Sequence, residues 1–249
     1  MAVQIIPKSA QGSGAFNGGE IVENKPIGFP QDRSSIRPYS NLFYWAHAKA
    51  VVDSTIGLHP HQGFEICSFV LKGEIRHFDT QMKEWRPLQA GDVQIIRAGN
   101  GISHSEWMGK GAEMFQIWFD PNLQQTLGQP ASYDDYQASV FPVQQAGTAV
   151  VKTIIGKGSP FVMDAPGIEV HRISIESGTY IFETNPADIV SAYILEGEAL
   201  FDGADAKEND FVLVNDVDRV GIQTLTGVDI FVISSPVVPE YRTYAQLRS

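Results

Sequence analysis

Phe69-Val70-Leu71-Lys72-Gly73-Glu74-Ile75 and Tyr193-Ile194-Leu195-Glu196-Gly197-Glu198-Ala199 are the same kind of segment written twice. Each has an apolar run, a charged residue, a glycine and a glutamate, and then a return to apolar residues. That order predicts two short strands around a tight turn. The likeness continues outward in the same order. Gly91-Asp92-Val93 matches Asn209-Asp210-Phe211, and Phe115-Gln116-Ile117-Trp118 matches Ile230-Phe231-Val232-Ile233. The spacings are similar but unequal, which predicts a weak internal duplication of one β-unit.

The rest of the chain fits that frame. Leu42–Trp45, Phe64–Leu71, Glu74–Phe78, Asp92–Arg97 and Glu113–Phe119 are short runs of β-branched and aromatic residues between turn residues. The second half offers Ala149–Ile155, Ile168–Ile175, Thr179–Glu183, Ile189–Leu195, Glu198–Phe201, Phe211–Val214 and Val228–Ile233. This is all-β spacing. Residues 1–40 are rich in Gly, Pro, Ser and Asn, and 11–19 (QGSGAFNGG) read as loop. Asn122–Leu127 and Ser132–Gln137 each suit a short helix, with Ser132 and Asp135 in a capping pattern. The predicted organisation is an N-terminal domain over 1–125, a linker with short helices over 126–148, and a C-terminal domain over 149–249.

Composition narrows the function classes. Of 249 residues, 43% are hydrophobic and 19% charged, as in a globular protein with a full core. The net charge of −11 and the lack of any basic run argue against direct binding to nucleic acid or anionic membranes. No run of about 18 apolar residues is present to span a bilayer. The N-terminus lacks the basic and apolar regions of a secretory signal, so a cytoplasmic location is expected. Cys67 is the single cysteine and reads as a small core residue.

Six histidines are present. Two fall in Gly57-Leu58-His59-Pro60-His61, and in an extended segment residues two apart share a face. A third lies in Ser103-His104-Ser105-Glu106, with a carboxylate two positions on. Strands brought together in a barrel would let these pairs meet. Three imidazoles and a carboxylate suit Fe(II), Mn, Co, Ni, Cu or Zn better than Mg or Ca. Glu65 lies four residues after His61, on the same face of a regular strand, and competes with Glu106 for the fourth position. Periodicity alone leaves that choice open.

His59-x-His61-x-x-x-Glu65, then Gly73, Gly91-Asp92 and a later histidine look like the two motifs of the cupin superfamily. His59-Pro-His-Gln-Gly-Phe-Glu-Ile66, Leu71-Lys-Gly-Glu74, Gly91-Asp-Val-Gln94 and Ala98-Gly-Asn-Gly-Ile-Ser-His-Ser-Glu106 resemble the pirin family more closely. The resemblance is dense from Leu42 to Phe119 and thin beyond. It implies two tandem cupin-type antiparallel barrels, a bicupin, with one divalent metal in the first. Its ligands would be His59, His61, His104 and Glu106, with Fe(II) the favoured ion. Glu65 then becomes a residue behind the ligands or a structural one. Gln62 and Asn100 stand where pirins commonly carry Arg, at positions that are not ligands.

The same resemblance implies a function. The favoured reading is a quercetin 2,3-dioxygenase-like oxidoreductase acting on a flavonol or similar small aromatic and O₂, with Glu106 as ligand and proton acceptor. The alternative is a non-enzymatic, metal- and redox-dependent regulator that binds a partner protein. The second barrel, with His171 as its one histidine, is expected to hold no metal. His77, on a strand with apolar neighbours, is expected to be structural or to border the pocket. His47 is expected in a loop, and Asp134-Asp135 and Asp202/Asp205 in solvated turns.

Overall fold

In the second half the repeated segment is one continuous strand, Asp188–Phe201, which bends at Gly197. Gly197 has φ +81, and a Cβ there would lie 2.1 Å from the Gly227 carbonyl oxygen. Only glycine fits such a bend. Its counterpart Gly73, at φ +73, separates Glu65–Lys72 from Glu74–Asp79, and a Cβ there would lie 3.0 Å from Ala112 Cα. At both places the bend carries the chain out of a large sheet and into a smaller set of strands. The repeated motif is therefore the point at which each half turns from one sheet to another.

The computed structural model describes residues 3–29 and 31–247. Two units are present. The first contains Gln11–Ala138, Met163–Pro166 and Glu240–Ser249; the second contains Met1–Ala10, Ser139–Val162 and Gly167–Pro239. In the first unit a seven-stranded sheet runs Ser132–Tyr136, Val93–Arg97, Glu65–Lys72, Glu113–Phe119, Leu42–Ala50, Ile21–Ile27, Gly12–Phe16. A four-stranded sheet runs Ser54–His61, Ile102–Met108, Glu74–Asp79, Arg86–Gln89. Ile56, Ile75, Leu88 and Met108 of the smaller sheet pack with Ile21, Ala48, Val70 and Met114 of the larger one. This apolar cluster closes one end of the barrel. The same strands turn polar toward the other end, where Ser68, Asp79, His104 and Glu106 are buried.

The second unit is built alike. Asp188–Phe201 pairs with Phe211–Asn215 and Val228–Pro236, and its last residues pair with Ala204–Lys207 and Arg219–Thr224. Its interior holds a large apolar cluster that includes Phe182, Phe201, Val220 and Ile222.

Some local expectations are corrected. Ser132–Tyr136 is not a helix but an edge strand on Val93–Arg97. Arg97 Nη1 donates to Ser132 Oγ at 3.2 Å and to Asp134 at 2.7 Å, two residues on one face, which only a strand presents. Tertiary pairing overrides the capping pattern here. Leu123–Thr126 is helical, capped by Asn122, whose side chain accepts from Gln124 N. Within 11–19, Gly12–Phe16 is a strand paired with Ile21–Ile27, because main-chain pairing needs no bulky side chain. The predicted boundaries at 125 and 149 differ from a division at 138/139, and residues 3–10 belong to the second unit, whose sheet Val3–Ile6 joins. Cys67 is fully buried, and burial pushes its thiol pKa well up. Among the described residues no helix is long and apolar enough to cross a membrane.

Candidate metal centre

Ile102–Met108 lies between Ser54–His61 and Glu74–Asp79, and its register places the site. On one side His104 faces His59 and Ile102 faces His61; on the other, His104 faces Asp79 and Glu106 faces His77. Between His104 and Glu106 the pairing slips, so Glu106 faces Ile56 and both Gly57 and Leu58 oppose Ser105. Such a bulge re-aims side chains. At this bulge His59 Nδ1 lies 2.7 Å from the Gly57 carbonyl oxygen, to which it donates, and Nε2 is left as a lone pair.

Three Nε2 atoms converge. Those of His59 and His61 each lie 2.9 Å from that of His104. Two nitrogens in adjacent positions of an octahedral ion with bonds of about 2.1 Å lie about 3.0 Å apart, so the spacing fits a transition metal. A shared cation can satisfy all three converging imidazole nitrogens at once. Burial, reinforced by the neighbouring imidazoles, lowers the pKa of His61 to about 3 and that of His104 to about 2. Both are neutral at physiological pH, which is the ligating form.

Among the described residues these three histidines form the cluster able to hold a metal, with all ligand atoms within 4.8 Å of one another. Glu106 does not join it. It is buried on the same face of its strand, but its carboxylate is occupied: Oε1 accepts from Ser68 Oγ at 3.2 Å and Oε2 from Gln116 Nε2 at 2.6 Å. Gln116 Oε1 accepts from Trp118 Nε1 at 3.1 Å, and the Trp118 ring meets His61 edge-on at 4.8 Å. A polar chain thus runs from Glu106 through Gln116 to the indole beside the His61 imidazole.

Glu65 reaches none of these imidazoles. It accepts from the backbone N–H groups of Asp164 and Ala165, each at 2.7 Å, with Arg97 Nε 3.8 Å away. It anchors residues 163–166 to the barrel wall, and burial raises its pKa to about 7. His77 is fully buried at the site, its ring 5.5 Å from that of His104 and stacked on Tyr133 at 4.7 Å. His47 lies in the strand Leu42–Ala50, not a loop, with Nε2 3.1 Å from Glu113. Its place in the strand follows from pairing opposite Phe115. His171 sits in the second unit between Thr153 and Glu169. Asp79, Ser68 and Gln116 were missed by sequence reasoning. A signal existed: Ser68 and Gln116 interrupt apolar strands, and His77-x-Asp79 has the parity of His59-x-His61.

Beside His61 an open depression of about 540 Å³ is lined by Pro60, Gln62, Thr80, Asn100 and Ser103 among others. The volume falls within the range of about 300–1,000 Å³ typical of small-molecule sites. Gln62 and Asn100 meet at its rim, where Gln62 Nε2 is 3.4 Å from the Asn100 carbonyl oxygen.

The Pirin family profile matches residues 30–119, the segment that builds this site. Over that segment the chain is similar to the pirin family. Pirin-1 of Arabidopsis thaliana is 30% identical over 146 residues, 56% of this chain and 50% of that one. The quercetin 2,3-dioxygenase of Escherichia coli strain K12 is 41% identical over 68 residues, 26% of this chain and 29% of that one. The alignments with these curated relatives span half or less of their length. A bacterial pirin from Escherichia coli, solved in complex with nickel(II), superposes with a TM-score of 0.76 at 20% identity, covering 95% of this chain and 100% of the other. The bicupin fold of that structure is therefore present along nearly the whole chain.

Proposed function

We propose that this protein, similar to pirins over its first half, is a metal-dependent dioxygenase of the quercetin 2,3-dioxygenase type. It acts on a flavonol or a similar small aromatic at one divalent transition metal, Fe(II) by preference, in the first unit. The observation that carries the reading is the convergence of three imidazole nitrogens beside an open depression of ligand size. Support comes from relatives named quercetin 2,3-dioxygenase and from a nickel-bound relative of the same fold.

His59, His61 and His104 would hold the metal and leave part of its coordination sphere to substrate and O₂. Such an ion supplies a Lewis-acidic anchor for a phenolic or enolic oxygen and a redox-active centre for O₂ chemistry. The protein's own groups do the rest. The amides and hydroxyls of Gln62, Thr80, Asn100 and Ser103 hydrogen-bond polyhydroxylated rings at the depression. Glu106 takes the proton of a substrate hydroxyl on a lone pair left free by Ser68 and Gln116, and would complete the ligand set on turning from Gln116. Trp118 walls the site beside His61.

The test combines metal analysis with O₂ uptake and loss of quercetin absorbance. Metal-loaded wild type is expected to consume both, and His59→Ala to consume neither. A loaded protein that turns over no flavonol and takes up no O₂ would overturn the enzyme reading and favour the metal-dependent regulator.

A further inference from the structure

Behind the three ligand imidazoles, His77 and Asp79 occupy fully buried positions on Glu74–Asp79. Asp79 stands directly opposite His104 in the register. Its carboxylate is held by three donors: Oδ1 accepts the backbone N–H groups of Gln81 and Met82, at 2.7 and 2.8 Å, and Oδ2 lies 3.0 Å from His77 Nε2. A carboxylate accepts, so His77 carries its proton on Nε2, and Nδ1 of its neutral ring is an acceptor. His104 has the opposite arrangement. Its Nε2 faces the other two ligand nitrogens, so its proton belongs on Nδ1, which is a donor.

Both Nδ1 atoms are buried, and neither has a hydrogen-bond partner among the described residues. The two rings are adjacent, 5.5 Å between centroids and 50° apart in tilt. One imidazole thus offers a lone pair and its neighbour a proton. Buried polar groups are satisfied by protein or by ordered water. Resting on the metal reading above, we propose that Asp79, His77 and one bridging water form a hydrogen-bond relay onto Nδ1 of His104. Asp79 and His77 are positioning residues: they fix the tautomer and ring angle of a ligand imidazole and raise its basicity, as carboxylate partners of metal-bound histidines do.

The relay separates from a packing role by substitution. His77→Phe keeps a flat ring to stack on Tyr133 and removes both nitrogens. His77→Gln keeps a donor toward Asp79 and an acceptor toward His104. Affinity for Ni(II) is measured by chelator competition, and the His104 Nδ1 proton by nitrogen–proton NMR on the Zn(II)-loaded protein. The expected result is a loss of about 10–100-fold in affinity for His77→Phe and Asp79→Asn, with recovery in His77→Gln. The His104 Nδ1 proton should be slow to exchange in wild type and fast in His77→Phe. Wild-type affinity and slow exchange in His77→Phe would overturn the relay and leave the metal centre intact. So would NMR evidence that His77 carries its proton on Nδ1. A wild-type chain that takes up neither ion overturns the metal centre itself, and the relay with it.

Discussion

The two units share a strand plan and differ in what fills it. In the first unit Glu106 pairs with His77, and His104 with Asp79. In the second, Ile222 pairs with Phe201 across the equivalent strands, and Val220 pairs with Phe182. Those four residues lie in one apolar cluster. The fold therefore supplies two equivalent interiors, and residue choice makes one of them polar. A buried polar interior is costly unless every group finds a partner. In the first unit most do, and Nδ1 of His77 and of His104, which are among the atoms that do not, lie at the proposed centre.

The strongest way to break the comparison is to move the chemistry across. Ile222→Glu places in the second unit a carboxylate that lacks the Ser68 and Gln116 partners of Glu106. A loss of about 4 kcal/mol or more is expected in urea denaturation, because an unpaired charge is buried. A stable, cooperatively folding variant would show that the second interior tolerates polarity.

A smaller effect sharpens the role of Glu65. Glu65→Gln sets an amide N–H or a single oxygen against two backbone donors, Asp164 N and Ala165 N. The expected cost is about 1–3 kcal/mol, with faster hydrogen exchange at residues 164 and 165 and unchanged metal affinity. A change in metal affinity would return Glu65 to the site.

The buried imidazoles make a prediction in pH. The folded pKa of His104 is about 2, against about 6.5 for a solvated histidine. Between those values the unfolded chain binds a proton that the folded chain refuses, so stability falls as pH falls below about 6.5. Metal-free wild type should lose about 2 kcal/mol from this residue between pH 6.5 and pH 5. His104→Gln should lack that component, and equal slopes in the two proteins would contradict the burial of a neutral imidazole. The smallest expected effect is that of Trp118→Phe. It removes one hydrogen bond to Gln116, at a cost of about 1 kcal/mol, and keeps the apolar wall beside His61.

Much of this was legible in the sequence. The Gly73 and Gly197 repeats reported the duplication because each marks a bend that no side chain permits. Strand parity reported His59 with His61, and His104 with Glu106, and the resemblance to pirins joined the pairs. Parity could not report the bulge at Gly57–Leu58, nor that Gln116 and Ser68 hold the Glu106 carboxylate, because those contacts come from strands distant in sequence. Ser132–Tyr136 was misread for the same reason: its partners are Arg97 and its neighbours on another strand.

The central claim is that three imidazoles of the first unit bind one transition metal. Isothermal titration of the metal-free protein with Ni(II), beside His104→Ala, tests it most directly. The account predicts one ion per wild-type chain and loss of that site in the variant. No binding by wild type, or one tightly bound ion in His104→Ala, would contradict it.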